Sequence, residues 1–267
     1  MAGRDFDGWT VVVTGASTGL GRAIAVEVAS RGAGTVVVNY ARSEAEAAQT
    51  VGLVEAQGAR AVLIQGDVAE DADCRLIAEA AASTGRIDAL FNNAGTTVFA
   101  PDHADLDAVS ADDFLHLYKV NVVGAYQMVR AARSLLEAAP QPGAVVNTAS
   151  IAGVTGIGSS LPYAASKGAM NTMTLSLARA LAPKIRVNAI CPGFIDTPWF
   201  GKAMEEERIA RMRQGVIAST PLKAASTAED IAGAAVFLAS PASRHVTGET
   251  LLVDAGTHLG FASLSMR

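Results

Sequence analysis

Tyr163 and Lys167 stand four residues apart in the segment Tyr163-Ala-Ala-Ser-Lys167, which has helical period. At that spacing two side chains share a helical face, with Cβ atoms about 5–6 Å apart. A phenol of pKa about 10 is a poor acid–base at neutral pH. An ammonium about 5 Å away, at an effective dielectric near 20, is worth about 3.3 kcal/mol and lowers that pKa by about 2.4. The pair thus predicts a tyrosine tuned toward general acid–base work, with burial opposing the shift. The same residues also suit a helix-start aromatic and a solvated lysine.

A second constellation is Thr14-Gly15-Ala-Ser17-Thr-Gly19-Leu20-Gly21, directly after the β-branched run Thr10–Val13 and before a helical pattern. Glycines let a chain turn tightly after a strand and approach a pyrophosphate with no Cβ in the way. The helix that follows offers free N–H groups and partial positive charge. Ser17 adds a hydroxyl. An ordinary strand-to-helix turn would have the same composition, but the strand–turn–helix setting favours a dinucleotide.

These residues need a scaffold. Strand-like runs fall at Thr10–Val13, Thr35–Tyr40, Ala61–Ile64, Ala89–Asn92, Ala144–Thr148, Ile185–Ile190 and Thr250–Val253. Most are continuously apolar, as expected of parallel strands covered on both faces. Helical segments lie near Gly21–Arg31, Glu44–Gln57, Asp71–Thr84, Asp112–Ala138, Tyr163–Leu181, Lys202–Arg213 and Glu229–Ala239. Ser43-x-x-Glu46 and Thr227-x-x-Asp230 have the spacing of capping boxes, and Pro162 suits a first helical turn. The alternation predicts an α/β fold: one doubly wound, Rossmann-type domain over residues 1–267, with a mostly parallel seven-stranded sheet and helices on both faces. The irregular stretches Thr96–Ala111 and Gly193–Ser226 follow strands, where such sheets bind ligands, so both are expected to meet substrate, with the main substrate loop at about 193–226.

Composition narrows the function. The net charge of −5 comes without a basic stripe, which argues against nucleic acid and an anionic membrane surface as partners. The two cysteines, Cys74 and Cys191, and the four histidines show no metal-ligand spacing, so no metal is expected. The N-terminus lacks the apolar core of a signal peptide and no apolar run reaches about 20 residues, which predicts a cytoplasmic protein.

The variant turn, with its leading Thr14, resembles that of the short-chain dehydrogenase/reductase family. Asp67 after the third strand, Asn92-Asn93-Ala94-Gly95 after the fourth, Asn121, Ser150 after the fifth, Tyr163-x-x-x-Lys167 and Pro192-Gly193 after the sixth follow in the family's order. The resemblance covers about residues 8–257. It implies an NAD(P)-dependent oxidoreductase that moves a hydride between nicotinamide and a small-molecule carbonyl or secondary alcohol. Tyr163 would protonate the developing alkoxide, Ser150 would hydrogen-bond that oxygen, and Lys167 would hold the ribose hydroxyls and lower the tyrosine's pKa. Asn121 would help hold a water leading from Lys167 to solvent. Gly15, Ser17, Gly19, Leu20, Gly21, Asp67, Val68, Asn93, Ala94, Gly95, Pro192 and Gly193 would contact the cofactor, and Ile195 and Thr197 would grip its carboxamide. A homotetramer is also implied.

The match argues against other classes on this fold. A non-catalytic dinucleotide sensor typically loses the tyrosine or lysine, extended-branch epimerases carry a longer substrate domain, and enoyl reductases place more residues between tyrosine and lysine. Two departures stand out: a short approach to the sixth strand at Leu181–Arg186, and a tail reading Val253-Asp254-Ala255-Gly256 where many relatives have a second glycine.

An NAD enzyme wants a carboxylate at the end of the second strand, where it also repels a 2′-phosphate. Tyr40 stands there, and Arg42 and Ser43 follow at a helix start where a phosphate could bind. NADP is therefore expected over NAD, although Thr18 occupies a place where many NADP enzymes carry a basic residue. Phe194, Trp199, Phe200 and Met204, with Ile151, Val154 and Ile157, suggest an apolar substrate pocket or equally a loop packed onto the core. Glu205-Glu206-Glu207 suits a solvated helix face.

Overall fold

The structure is a computed structural model that describes residues 3–100, 102–197, 199 and 205–260. Its centre is a sheet of seven strands: β1 (Thr10–Val13), β2 (Thr35–Tyr40), β3 (Arg60–Gln65), β4 (Ala89–Asn92), β5 (Gly143–Thr148), β6 (Ile185–Pro192) and β7 (Thr250–Val253). All neighbours pair in parallel, in the order β3-β2-β1-β4-β5-β6-β7. The expected mostly parallel sheet is thus wholly parallel. The strand order reverses between β1 and β4, which opens a crevice at their carboxyl ends.

Strand side chains alternate between two apolar layers, as the twofold period of a strand requires. Val11, Val13, Val36, Val38, Phe91, Val146 and Ile190 pack on one side with Ile24 and Val28 of α1 (Gly19–Ser30) and Ile231, Ala235 and Val236 of a later helix. Val12, Val37, Leu90, Val145 and Val187 pack on the other, with residues such as Ile77, Met128 and Leu136. Between these strands run α2 (Glu44–Glu55), α3 (Asp71–Glu79), α4 (Ala111–Tyr118), α5 (Ala125–Glu137), the short α6 (Ala152–Thr155), α7 (Leu161–Leu181), α8 (Glu206–Ser219) and α9 (Ala228–Ala239). Both cysteines are buried and free, and burial pushes their thiols up, Cys74 to about 12 and Cys191 to about 11. Among the described residues no helix is long and apolar enough to cross a membrane, and no group of three or more His, Cys, Asp or Glu could hold a metal ion.

The structure departs from the sequence reading in several elements. The single helix expected over Asp112–Ala138 is α4 and α5 joined by a π-helical turn, Lys119–Gly124. A Cβ at Gly124 would come within 2.8 Å of Val68 Cγ2, so the widened turn meets the loop after β3 at close range. The helix expected from Lys202 begins at Glu206 and runs on to Ser219; residues 201–204 lie outside those described. Thr227 and Asp230 form the reciprocal capping box (Thr227 N to Asp230 Oδ2 2.8 Å, Asp230 N to Thr227 Oγ1 3.3 Å). Ser43 stands at the N-cap of α2, but its hydroxyl makes no cap hydrogen bond.

Ala255, in the tail after β7, has φ +54°. A left-handed L-residue costs about 1–2 kcal/mol, of which glycine's extra unfolded freedom returns about 0.4–1. Ala255→Gly is expected to stabilise the protein by about 0.5–1 kcal/mol. A denaturant titration checks this, and a lower midpoint would show that the turn is unstrained.

Candidate active site

The turn after β1 is built by glycine at two positions. Gly15 has φ +60°, and a Cβ there would lie 2.9 Å from Ala94 Cα. At Gly21 a Cβ would lie 2.3 Å from Gly15 O, so the first turn of α1 packs directly on the glycine turn. Side chains from neighbouring strands stitch the turn down. Thr14 Oγ1 accepts from the backbone N–H groups of Asn93 and Ala94, each at 3.0 Å. Asn93 Nδ2 donates to Thr14 O at 3.1 Å and Gly15 O at 3.0 Å. Asn39 Oδ1 accepts from Gly15 N at 3.2 Å, while its Nδ2 donates to Gly66 O at 3.0 Å.

The turn floors a cleft of about 840 Å³ at the carboxyl ends of β1, β2, β4, β5 and β6. Of the sequence-predicted residues, Gly15, Ser17, Gly19, Leu20, Arg42, Ser43, Asp67, Val68, Asn93, Ala94, Gly95, Ser150, Tyr163, Lys167, Pro192, Gly193, Ile195 and Thr197 line it. Gly21, Tyr40 and Asn121 do not. Gly21 acts through packing, as above. Tyr40 is buried, and its neighbours Asn39 and Ala41 face the cleft instead, because successive strand residues point to opposite sides. The missing carboxylate is still missing at these positions, but Glu46 of α2 also lines the cleft.

Ser160 caps α7, accepting from Tyr163 N at 3.4 Å, and Pro162 sits in the first turn. The helix then carries Tyr163 and Lys167 into the cleft together. Lys167 is buried, and its Nζ lies 5.7 Å from the Tyr163 ring centroid and 2.7 Å from Thr148 O, to which it donates. Burial lowers the ammonium to about 8, with the nearby Cys191 thiol opposing. Burial pushes the Tyr163 phenol up, and a hydrogen bond with Ser150 pulls the other way. Burial is thus the larger effect on the phenol, and the opposing pull comes from Ser150 rather than from Lys167. Ser150 Oγ accepts from Ala152 N at 3.1 Å.

Asn121 is fully buried in the π-helical turn, and its side chain ties three elements together. Its Oδ1 accepts from Thr96 N at 2.8 Å, and Nδ2 donates to Thr96 O and Ser166 Oγ, each at 3.0 Å. It thereby fixes the strand-exit segment beside Lys167; a Cβ on Gly95 would lie 3.3 Å from Asn121 Oδ1 and 3.7 Å from Lys167 Nζ.

The apolar pocket expected from loop residues is redrawn. Trp199 lines the cleft, but Phe194, Ile151, Val154 and Ile157 do not, and Ile157 is 75% exposed. Phe200 and Met204 lie outside the described residues. The wall there includes Thr96, Thr97 and Phe99, in an irregular stretch expected to meet substrate, and also His116 of α4 and Val120 of the π-helical turn, which sequence reasoning missed because they sit inside a helical pattern. Arg22, one residue past Gly21, was also missed.

Comparison with known proteins agrees with this architecture. A profile of the family described as Enoyl-(Acyl carrier protein) reductase matches residues 15–258. The Granaticin polyketide synthase putative ketoacyl reductase 2 of Streptomyces violaceoruber is 39% identical over 93% of this chain and 95% of its own. An L-rhamnose 1-dehydrogenase (NAD(P)(+)) of Sphingomonas sp. is 38% identical over 95% of this chain and 97% of its own. The crystal structure of a putative short-chain dehydrogenase/reductase from Burkholderia xenovorans superposes with a TM-score of 0.86 at 39% identity, covering 94% of this chain and 98% of that one. The chain belongs to the short-chain dehydrogenase/reductase family of oxidoreductases.

Proposed function

We propose that this protein is an NAD(P)-dependent oxidoreductase that interconverts a small-molecule carbonyl and its secondary alcohol, with Tyr163 as general acid–base. The observation that carries the reading is that α7 brings Tyr163 and Lys167 to Ser150 in the cleft that the glycine turn floors. The residues present suit a dinucleotide. The floor is a glycine cradle that a Cβ would fill, at the N-terminus of α1, and Ser17 adds a hydroxyl beside it. When bound, the nicotinamide supplies or accepts the hydride.

The chain's own groups handle the proton. In reduction Tyr163 Oη gives its proton to the substrate oxygen as negative charge develops there, and in oxidation it takes that proton back. The Ser150 hydroxyl donates a hydrogen bond to the same oxygen, where it counts most because the charge is largest in the transition state. Lys167, anchored on Thr148 O, would hold the ribose hydroxyls of the bound cofactor with its remaining protons. Asn121 holds Thr96 and so the wall beside Lys167.

NADP is the proposed cofactor, with NAD the alternative. Arg42 and the N-cap Ser43 face the cleft at the start of α2, and no carboxylate stands at Asn39, Tyr40 or Ala41. The relative named for NAD(P)(+) supports a nicotinamide and leaves both forms open. Oxidation of a broad alcohol panel and reduction of the matching ketones, each with both cofactors, tests the reading; no turnover with either would overturn it. If the Arg42 guanidinium holds a 2′-phosphate, Arg42→Ala should lower kcat/KM for NADP about tenfold and leave NAD within about twofold. Equal losses would assign Arg42 to structure.

A homotetramer is proposed as well. Phe114, Leu115, Val123, Tyr126 and Leu175 are exposed on α4, the π-helical turn, α5 and α7, and such apolar helix faces suit burial against a second copy. Light scattering at micromolar concentration should report four chains; a monomer would reject this.

A further inference from the structure

We infer that Arg22 and Thr50 are positioning residues that lock the glycine turn to α2, so that both phosphate-binding ends of the cofactor site move as one unit. This rests on the nicotinamide cofactor proposed above. Arg22 is a cation on the cleft wall whose Nε and Nη2 are turned onto acceptors of the glycine turn and α2. Nη2 donates to Ser17 O at 2.7 Å, to Glu46 O at 2.9 Å and to Gln49 Oε1 at 3.4 Å, and Nε donates to Thr50 Oγ1 at 3.0 Å. Thr50 is fully buried, and its hydroxyl lies 3.1 Å from Ser17 O and 3.2 Å from Glu46 O, one of which takes its proton.

Ser17 O is the node: a carbonyl in the middle of the glycine turn lies within hydrogen-bond distance of two side chains that both belong to the α1–α2 contact. A planar fork fits this array of acceptors as a single ammonium cannot. Arg22 is thus a brace, and Arg42 remains the cleft cation proposed to meet the 2′-phosphate. The brace fixes the Ser17 peptide against the first two turns of α2, the helix whose N-terminus carries Arg42 and Ser43. Loosening it costs pre-organisation of the turn for either cofactor, and of the α2 terminus for NADP alone. The effect should fall on cofactor affinity and spare the proton transfer at Tyr163, at the other end of the cleft.

The test is calorimetric titration of NADP and of NAD into wild type, Thr50→Val, Thr50→Ser and Arg22→Lys, with kcat and KM on one active substrate. Valine keeps the volume and removes the hydroxyl; serine keeps the hydroxyl. Loss of a buried hydrogen bond loosens the turn, and part of that loss reaches the ligand. Thr50→Val and Arg22→Lys should weaken NADP about tenfold and NAD about threefold, with kcat at saturating cofactor reduced less than about twofold. Thr50→Ser should restore NADP affinity to within about twofold of wild type. Wild-type affinity in Thr50→Val, equal losses for the two cofactors, or a fall in kcat at unchanged KM would each overturn the brace. Failure of wild type to bind either cofactor would instead remove the function reading beneath it.

Discussion

Tyr163→Phe should lower kcat by about 10²–10⁴-fold, the range that general acid–base catalysis contributes, while the affinity for nicotinamide cofactor stays within about twofold. The substitution removes one oxygen from a half-buried ring and leaves the fold of α7, its Ser160 cap and the Lys167 anchor in place. Titration calorimetry and steady-state rates, measured on the same preparation, separate the two effects. The direction of the phenol's shift also fixes how the rate should vary with pH. Burial raises Tyr163 above its ordinary value, so at neutral pH it is protonated and ready to donate. Carbonyl reduction should therefore run at neutral pH and fall as pH rises through the phenol's pKa. Alcohol oxidation needs the phenolate and should rise over the same range. A Tyr163→Phe enzyme that keeps most of its activity, or that keeps the wild-type pH profile at a reduced rate, would assign the proton to another group.

Gly21→Ala should be nearly as damaging, by a different route. The new Cβ would sit 2.3 Å from Gly15 O, 2.5 Å from Asn93 Nδ2 and 3.0 Å from Ala16 Cα, and two of those three atoms are backbone. No rotamer change can relieve contact with a carbonyl oxygen, so α1 must move off the turn. Overpacking of this kind costs about 1–3 kcal/mol of stability. It should also cost about 10²-fold in cofactor affinity, because displaced turn amides no longer point where a pyrophosphate would lie. Gly233→Ala in α9 is the control: nothing lies within 4 Å of its added Cβ, and a helix-interior alanine there should stabilise by about 0.5–1 kcal/mol. Denaturant midpoints and calorimetric Kd values check both. A Gly21→Ala protein that binds cofactor as wild type would show that the turn tolerates separation from α1.

Much of the fold was legible because both of its periods are strong. The strands Thr10–Val13, Thr35–Tyr40, Ala89–Asn92 and Thr250–Val253 have the same bounds in sequence and structure, since each is a short, mainly apolar run between helical segments or polar turns. The glycine turn and the Tyr163–Lys167 pair were visible as spacing, which survives without any knowledge of tertiary contacts. What the sequence hid depends on neighbours far along the chain. The π-helical turn at Lys119–Gly124 answers the approach of Val68, more than fifty residues earlier, and a reading by helical period runs straight through it. Tyr40 was placed at the cofactor by its position at a strand end, but which of Asn39, Tyr40 and Ala41 faces the cleft depends on how the strand is pleated against its neighbours. The balance at Tyr163 was hidden because the lysine's distance could be estimated from helix geometry while the burial of both groups could not.

Arg22 shows the same limit in another form. One residue past the glycine turn, a charge on a helix invites a solvated reading, and only the arrival of α2 converts it into an internal brace. Thr97 reaches the cleft through the loop after β4, which has no period of its own, and His116 reaches it from α4.

Direct transfer of hydrogen between substrate and nicotinamide is the central claim, and an isotope measurement tests it most directly. A secondary alcohol that the wild-type enzyme oxidises would be prepared with deuterium on its carbinol carbon and incubated with oxidised cofactor, and the reduced cofactor recovered for mass and NMR analysis. The account predicts that the deuterium appears on the nicotinamide ring, and that Tyr163→Phe slows its appearance about 10²–10⁴-fold. Deuterium found in solvent while the cofactor gains only protium would contradict it.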